Sequence, residues 1–83
     1  FYGAGYLVEC LMDLHGEGAD VSDAALAARS LYRQSRAPDA LLACRVGRMM
    51  VTRGLAHEVE FACRLDAHPI VAAMEDGRLR VVA

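Results

Sequence analysis

The dipeptide Asp76-Gly77 constrains this chain more than any other pair of residues in it. A two-residue hairpin loop needs positive φ at both central positions, and Asp-Gly supplies it. With that loop, Glu75 pairs with Arg78, Met74 with Leu79 and Ala72 with Val81. Ile70, Ala72, Met74, Leu79 and Val81 then share one apolar face, and Glu75 meets Arg78 on the other with opposite charge. Strands are expected over 70–75 and 78–82. Just upstream, Leu55, Val59, Phe61, Cys63 and Leu65 alternate with Ala56, Glu58, Glu60, Ala62 and Arg64. A period of two predicts a further half-buried strand over 56–65, with His57 at its start and Asp66-Ala67-His68-Pro69 as the turn.

Before Gly54 the period is helical. Tyr6, Cys10 and Leu14 form one stripe, with Leu7 and Leu11 beside it and Glu9 and Asp13 opposite. That spacing predicts a helix over 2–15, ended by Gly16-Glu17-Gly18. Ser22 is a good N-cap, and Asp23 suits the positive end of the helix dipole. The second helix is expected over 23–34, with Ala24, Ala27, Ala28 and Leu31 on one face. Pro38 fits the first turn of a third helix over 38–53. Leu42, Val46, Met49 and Met50 would cover its buried arc, and Leu41, Arg45, Arg48 and Thr52 its exposed one.

These elements define an α+β fold, three helices followed by a small antiparallel β-sheet, in a single domain of 83 residues. Hydrophobic residues make up 55% of the chain, a surplus for so small a body. A homo-oligomer or a protein partner is therefore expected to cover some of them. No run approaches the ~18 apolar residues of a membrane span, and no charged-then-apolar leader is visible. The chain begins at Phe1 and not at Met, so an upstream segment or a trimmed end is expected. Three cysteines, Cys10, Cys44 and Cys63, are an odd number without a disulfide pattern. They are expected as buried thiols in a reducing, cytoplasmic setting.

Catalytic signatures are absent at the level of motif. His15, His57, His68 and the cysteines lack the paired spacing of a zinc site. No G-x-S-x-G elbow occurs. Gly3-Ala4-Gly5 and Gly16-Glu17-Gly18 do not join a strand to a helix, as a phosphate loop would. The reading is therefore of a chain that is not an enzyme, with no catalytic residue, no metal and no cofactor.

Charge is unevenly laid out. Residues 1–27 hold five acids and no base, and residues 28–56 hold six arginines against Asp39. All nine bases are arginine, the better fork for phosphate and guanine edges.

The order of elements resembles a winged helix-turn-helix domain. Tyr6 to Leu14 is similar to that family's first helix, and Gly18-Ala19-Asp20-Val21-Ser22 to its short strand and cap. Ala24-Ala25-Leu26-Ala27-Ala28 resembles the second helix, and Arg53-Gly54-Leu55 the end of the recognition helix. The resemblance implies that Leu41, Arg45 and Arg48 lie on the recognition face and that Arg78 and Arg80 lie on a wing. The expected function is then binding of double-stranded DNA, or transcription regulation. Arg45 and Arg48 would enter a groove with Thr52 beyond them, and Arg33 and Arg36 would hold phosphates. The alternative is a protein-protein interaction or oligomerisation domain docking through Met49-Met50 or the sheet edge, or a non-catalytic subunit of a larger complex.

Overall fold

A computed structural model describes residues 1–83 as an α+β fold of five helices and one two-stranded antiparallel sheet. The first two helices lie where the periodicity puts them. α1 spans Tyr2–His15 and stops at Gly16, whose φ of 80° suits a residue without a Cβ. α2 spans Asp23–Gln34, and the Ser22 side chain accepts a hydrogen bond from the Ala25 amide at 3.2 Å.

α1 and α2 pack along their lengths in opposite directions. The Tyr2 hydroxyl donates to the Ser35 carbonyl at 3.1 Å at one end. The crossing point is Gly5 against Ala28, both buried. A Cβ at Gly5 would clash with the Ala28 carbonyl oxygen and lie 2.8 Å from Tyr32 Cβ, so the axes come close only because position 5 is glycine.

The expected third helix breaks in two. α3 spans Ala37–Ala43, with Pro38 in its first turn, and α4 spans Arg45–Thr52. Between them Cys44 is extended, at φ −77° and ψ 163°. Its sulfur accepts from the Gly47 amide at 3.3 Å, and its thiol donates to the Leu41 carbonyl at 2.9 Å. Gly47 sits where any Cβ would collide with that same carbonyl, which lets α4 fold back on α3. The break redistributes the side chains expected on a single helix. Leu41 is half-buried, and Val46 is 61% exposed.

Residues 56–65 do not form a strand. Ala56–Ala62 is helix α5, and His57 is exposed on it beside Glu58. Leu55, Val59 and Cys63 match a helical spacing of four as well as an alternation of two. Ala and Glu, which dominate the intervening positions, favour helices over strands. Val59 is buried among α3, α4 and α5.

The hairpin follows the expected register: Ala72 pairs with Val81, Met74 with Leu79 and Glu75 with Arg78. β1 is Ala72–Glu75 and β2 is Arg78–Val81. The turn has φ 49° at Asp76 and 75° at Gly77, as a type I′ loop requires.

Only Gly5, Ala28, Gly47 and Val59 are buried, all four within the helical packing. The thiols depart from expectation: Cys44 is exposed, and Cys10 and Cys63 are half-buried. The radius of gyration is 15.3 Å, against roughly 12 Å for a compact domain of this length. No helix is long and apolar enough to cross a membrane.

Candidate anion-binding cleft

The start of α1, the end of α2, the start of α3 and the end of α5 converge around a cleft of 690 Å³. Three tyrosines line its α1–α2 side. The Tyr32 ring meets Tyr2 edge-on at 5.4 Å and Tyr6 at 5.5 Å. Such pairs are stabilising and hold the hydroxyls in fixed positions. Tyr2 and Tyr6 are one turn apart on α1, and Tyr32 is one turn on from Ala28, so the crossing at Gly5 places all three. The neighbouring Cys10 side chain first, and the Asp66 carboxylate after it, push the Tyr6 phenol above its usual range.

Arg33 and Arg36 supply positive charge to the same cleft. Arg33 is held by Glu9: its Nη2 donates to Glu9 Oε1 at 2.7 Å and its Nε to both carboxylate oxygens at 3.0 Å. Arg29 Nε donates to the same carboxylate from one turn away. These bonds, from Arg33 first and Arg29 second, lower the Glu9 carboxyl from 4.5 to about 2 and raise the Arg33 guanidinium further. Glu9 thus buckles α1 to α2 and aligns Arg33 on the cleft wall. Arg36, the residue before α3, is exposed, and its side chain makes no hydrogen bond or ion pair within the chain. A guanidinium without an internal partner, in the same cleft as one held by Glu9, is an arrangement suited to a small anion. Ser35 and Cys63 complete the polar part of the wall.

The other expected site residues lie elsewhere. Arg45, Arg48 and Thr52 are on α4. There the Arg48 guanidinium donates to the Ala43 carbonyl, and the Thr52 hydroxyl donates to the Arg48 carbonyl at 3.0 Å. Arg78 and Arg80 are on the hairpin, and Arg80 Nη1 reaches Glu75 Oε2 at 2.9 Å. Of the seven, only Arg33 and Arg36 line the cleft. The tyrosines went unnoticed as site residues in the sequence. The spacing of Tyr2 and Tyr6 was a signal, but Tyr32 joins them only through the helix crossing. A second cavity, of 430 Å³, opens at the other end of the α1–α2 pair, lined mainly by apolar groups with His15, Asp20 and Ser22. No three His, Cys, Asp or Glu side chains converge anywhere in the chain.

Residues 1–77 match the family model of 2-phosphosulpholactate phosphatase, and the chain belongs to that family. Neither a curated protein sequence nor a solved structure matches it.

This overturns the winged-helix resemblance and the DNA-binding and transcription-regulatory function drawn from it. The motifs behind that resemblance are an amphipathic helix, an alanine-rich helix and an Asp-Gly hairpin, and many unrelated folds share these. The alternative, an interaction or oligomerisation module, gains no support from the family either. The expectation of a chain that is not an enzyme is likewise corrected, because the family is one of phosphatases. That reading relied on the lack of local catalytic motifs, which does not exclude an enzyme.

Proposed function

We propose that this chain serves the hydrolysis of the phosphate ester of a small, multiply anionic hydroxy acid, 2-phosphosulpholactate, and that the tyrosine-arginine cleft binds the substrate's negative groups. The observation that carries the activity is the family match across residues 1–77. Hydrolysis joins a water oxygen to phosphorus and breaks the phosphorus–oxygen ester bond. The ester oxygen leaves with a proton, giving inorganic phosphate and the free alcohol. The substrate's name denotes a phosphate, a carboxylate and a sulphonate on a three-carbon skeleton. Such a molecule needs several positive or donor groups close together, and Arg36, Arg33 and the Tyr6 hydroxyl supply them.

Arg36 does the binding in this scheme because no carboxylate of the chain competes for it. Arg33 adds its field while anchored to Glu9. The free thiols Cys10, Cys44 and Cys63 support a reducing, cytoplasmic setting for the reaction.

Phosphate release from 2-phosphosulpholactate tests the activity, and the variant Arg36→Gln tests the cleft. A hydrogen bond to a charged partner contributes about 1.5–3 kcal/mol, so KM should rise about tenfold or more while the helical circular dichroism stays unchanged. Unchanged KM in an active protein would remove the cleft from the account.

A further inference from the structure

The tyrosine-arginine cleft carries more apolar wall than a three-carbon polyanion can use. At 690 Å³ it falls among sites that take drug-sized ligands, roughly 300–1,000 Å³. Its two cations stand together, Arg33 in the last turn of α2 and Arg36 just before α3. Much of the remaining lining is carbon, from Tyr2, Tyr6, Tyr32, Pro38, Leu41 and Leu65. A phosphate, a carboxylate and a sulphonate gain nothing from such a surface, because charge is better solvated by water than by hydrocarbon.

The shape of that wall bears on what covers it. Tyr6 is 39% and Leu65 75% exposed. The Tyr2 hydroxyl is already committed to the Ser35 carbonyl at 3.1 Å. Tyr32 stands at 66° to Tyr2 and at 60° to Tyr6, so the three rings make an angled corner and not a flat stack. A further ring meets such a corner edge-on or offset, the two arrangements that aromatic rings prefer. An aliphatic body of equal size would bury the same area without that directional gain. Charge fixes the other end of the occupant. Arg36 has no internal partner, and Arg33 keeps its Nη1 unbonded while Glu9 takes its Nε and Nη2.

We propose that this cleft takes phosphate monoesters of aromatic alcohols, with the phosphate on Arg36 and Arg33 and the ring against Tyr6, Tyr32 and Leu65. Such binding rests on the same reading of the cleft as an anion site, and it requires no turnover of the aromatic ester.

Phenylphosphonate and methylphosphonate separate the two halves of the site. They share one headgroup, contain no ester bond to hydrolyse, and differ in the ring alone. Titration calorimetry of each into the full chain should show phenylphosphonate binding about tenfold more tightly. Leu65→Ser, at an exposed position, and Tyr6→Leu should each reduce that ratio about threefold while leaving methylphosphonate unchanged. Arg36→Gln should weaken both probes in the same proportion. A general loss of structure would instead weaken both probes in Leu65→Ser, and that result would overturn the proposal. Equal affinity of the wild-type chain for the two probes would overturn it as well and leave the anion site standing. Binding of neither probe would remove both, whereas the activity itself is read separately, from phosphate release by 2-phosphosulpholactate.

Discussion

Replacing Gly5 with alanine should destabilise the protein, although alanine is the better helix former. An added Cβ would overlap the Ala28 carbonyl oxygen and lie 2.7 Å from its carbon and 2.8 Å from Tyr32 Cβ. Ordinary contacts begin near 3.4 Å, and two of these neighbours are backbone atoms that cannot rotate away. α1 and α2 must therefore part by about 1 Å, loosening the edge contacts of Tyr2 and Tyr6 on Tyr32. Overpacking of this kind costs about 1–3 kcal/mol, and weakening two aromatic pairs costs up to about 1 kcal/mol each. The helix propensity of alanine returns about 1 kcal/mol. The net loss is about 2 kcal/mol, or about 10 °C in Tm for a chain of this size. Gly3 is the control: it lies in the same helix, and a Cβ there meets nothing within 4 Å. Gly3→Ala should raise stability by about 0.5–1 kcal/mol. Urea unfolding followed at 222 nm measures both variants. If Gly5→Ala is as stable as Gly3→Ala, the close crossing of α1 on α2 is wrong.

Three further outcomes follow from the packing. Glu9 has a folded pKa of about 2 against an ordinary 4.5, so its contribution is complete above 4.5 and disappears as pH falls from 4.5 toward 2. Glu9→Gln should flatten the acid limb of the stability curve in that window and leave its shape above pH 6 unchanged, as read by thermal melts across pH. Gly47→Ala should separate α4 from α3, because its Cβ would strike the Leu41 carbonyl; a loss of about 2 kcal/mol is expected in urea unfolding. Gly77→Ala puts a Cβ at φ 75°, at a cost of about 1 kcal/mol, and should speed amide exchange at the hydrogen-bonded pair Ala73 and Arg80 while sparing α1 and α2.

The parts of the fold that could be read from the sequence are those written in local signals. Ser22 caps α2 through its own side chain, Gly16 ends α1 through its own φ, and Asp76-Gly77 fixes the hairpin register by its own turn geometry. The misread parts depend on contacts between distant residues. Leu55, Val59 and Cys63 fit two periods, and the choice between them is made by Val59 packing among α3, α4 and α5. The break at Cys44 needs a glycine three residues on and a carbonyl three residues back, a pattern that periodicity alone does not reveal. For the cleft, arginine content drew attention to Arg33 and Arg36. Their chemical setting depends on Tyr2, Tyr6 and Tyr32 meeting across a helix crossing, and on which carboxylate captures which guanidinium.

The central claim is that this chain handles a small polyanionic phosphate ester through that cleft. Steady-state release of inorganic phosphate from 2-phosphosulpholactate, measured beside the same ester without the sulphonate, tests it most directly. The account predicts turnover of the sulphonated substrate, a higher KM for the other ester, and a rise in KM for the sulphonated one on Arg36→Gln. No phosphate release from either ester, or equal KM values for both in the wild type and in Arg36→Gln, would contradict it.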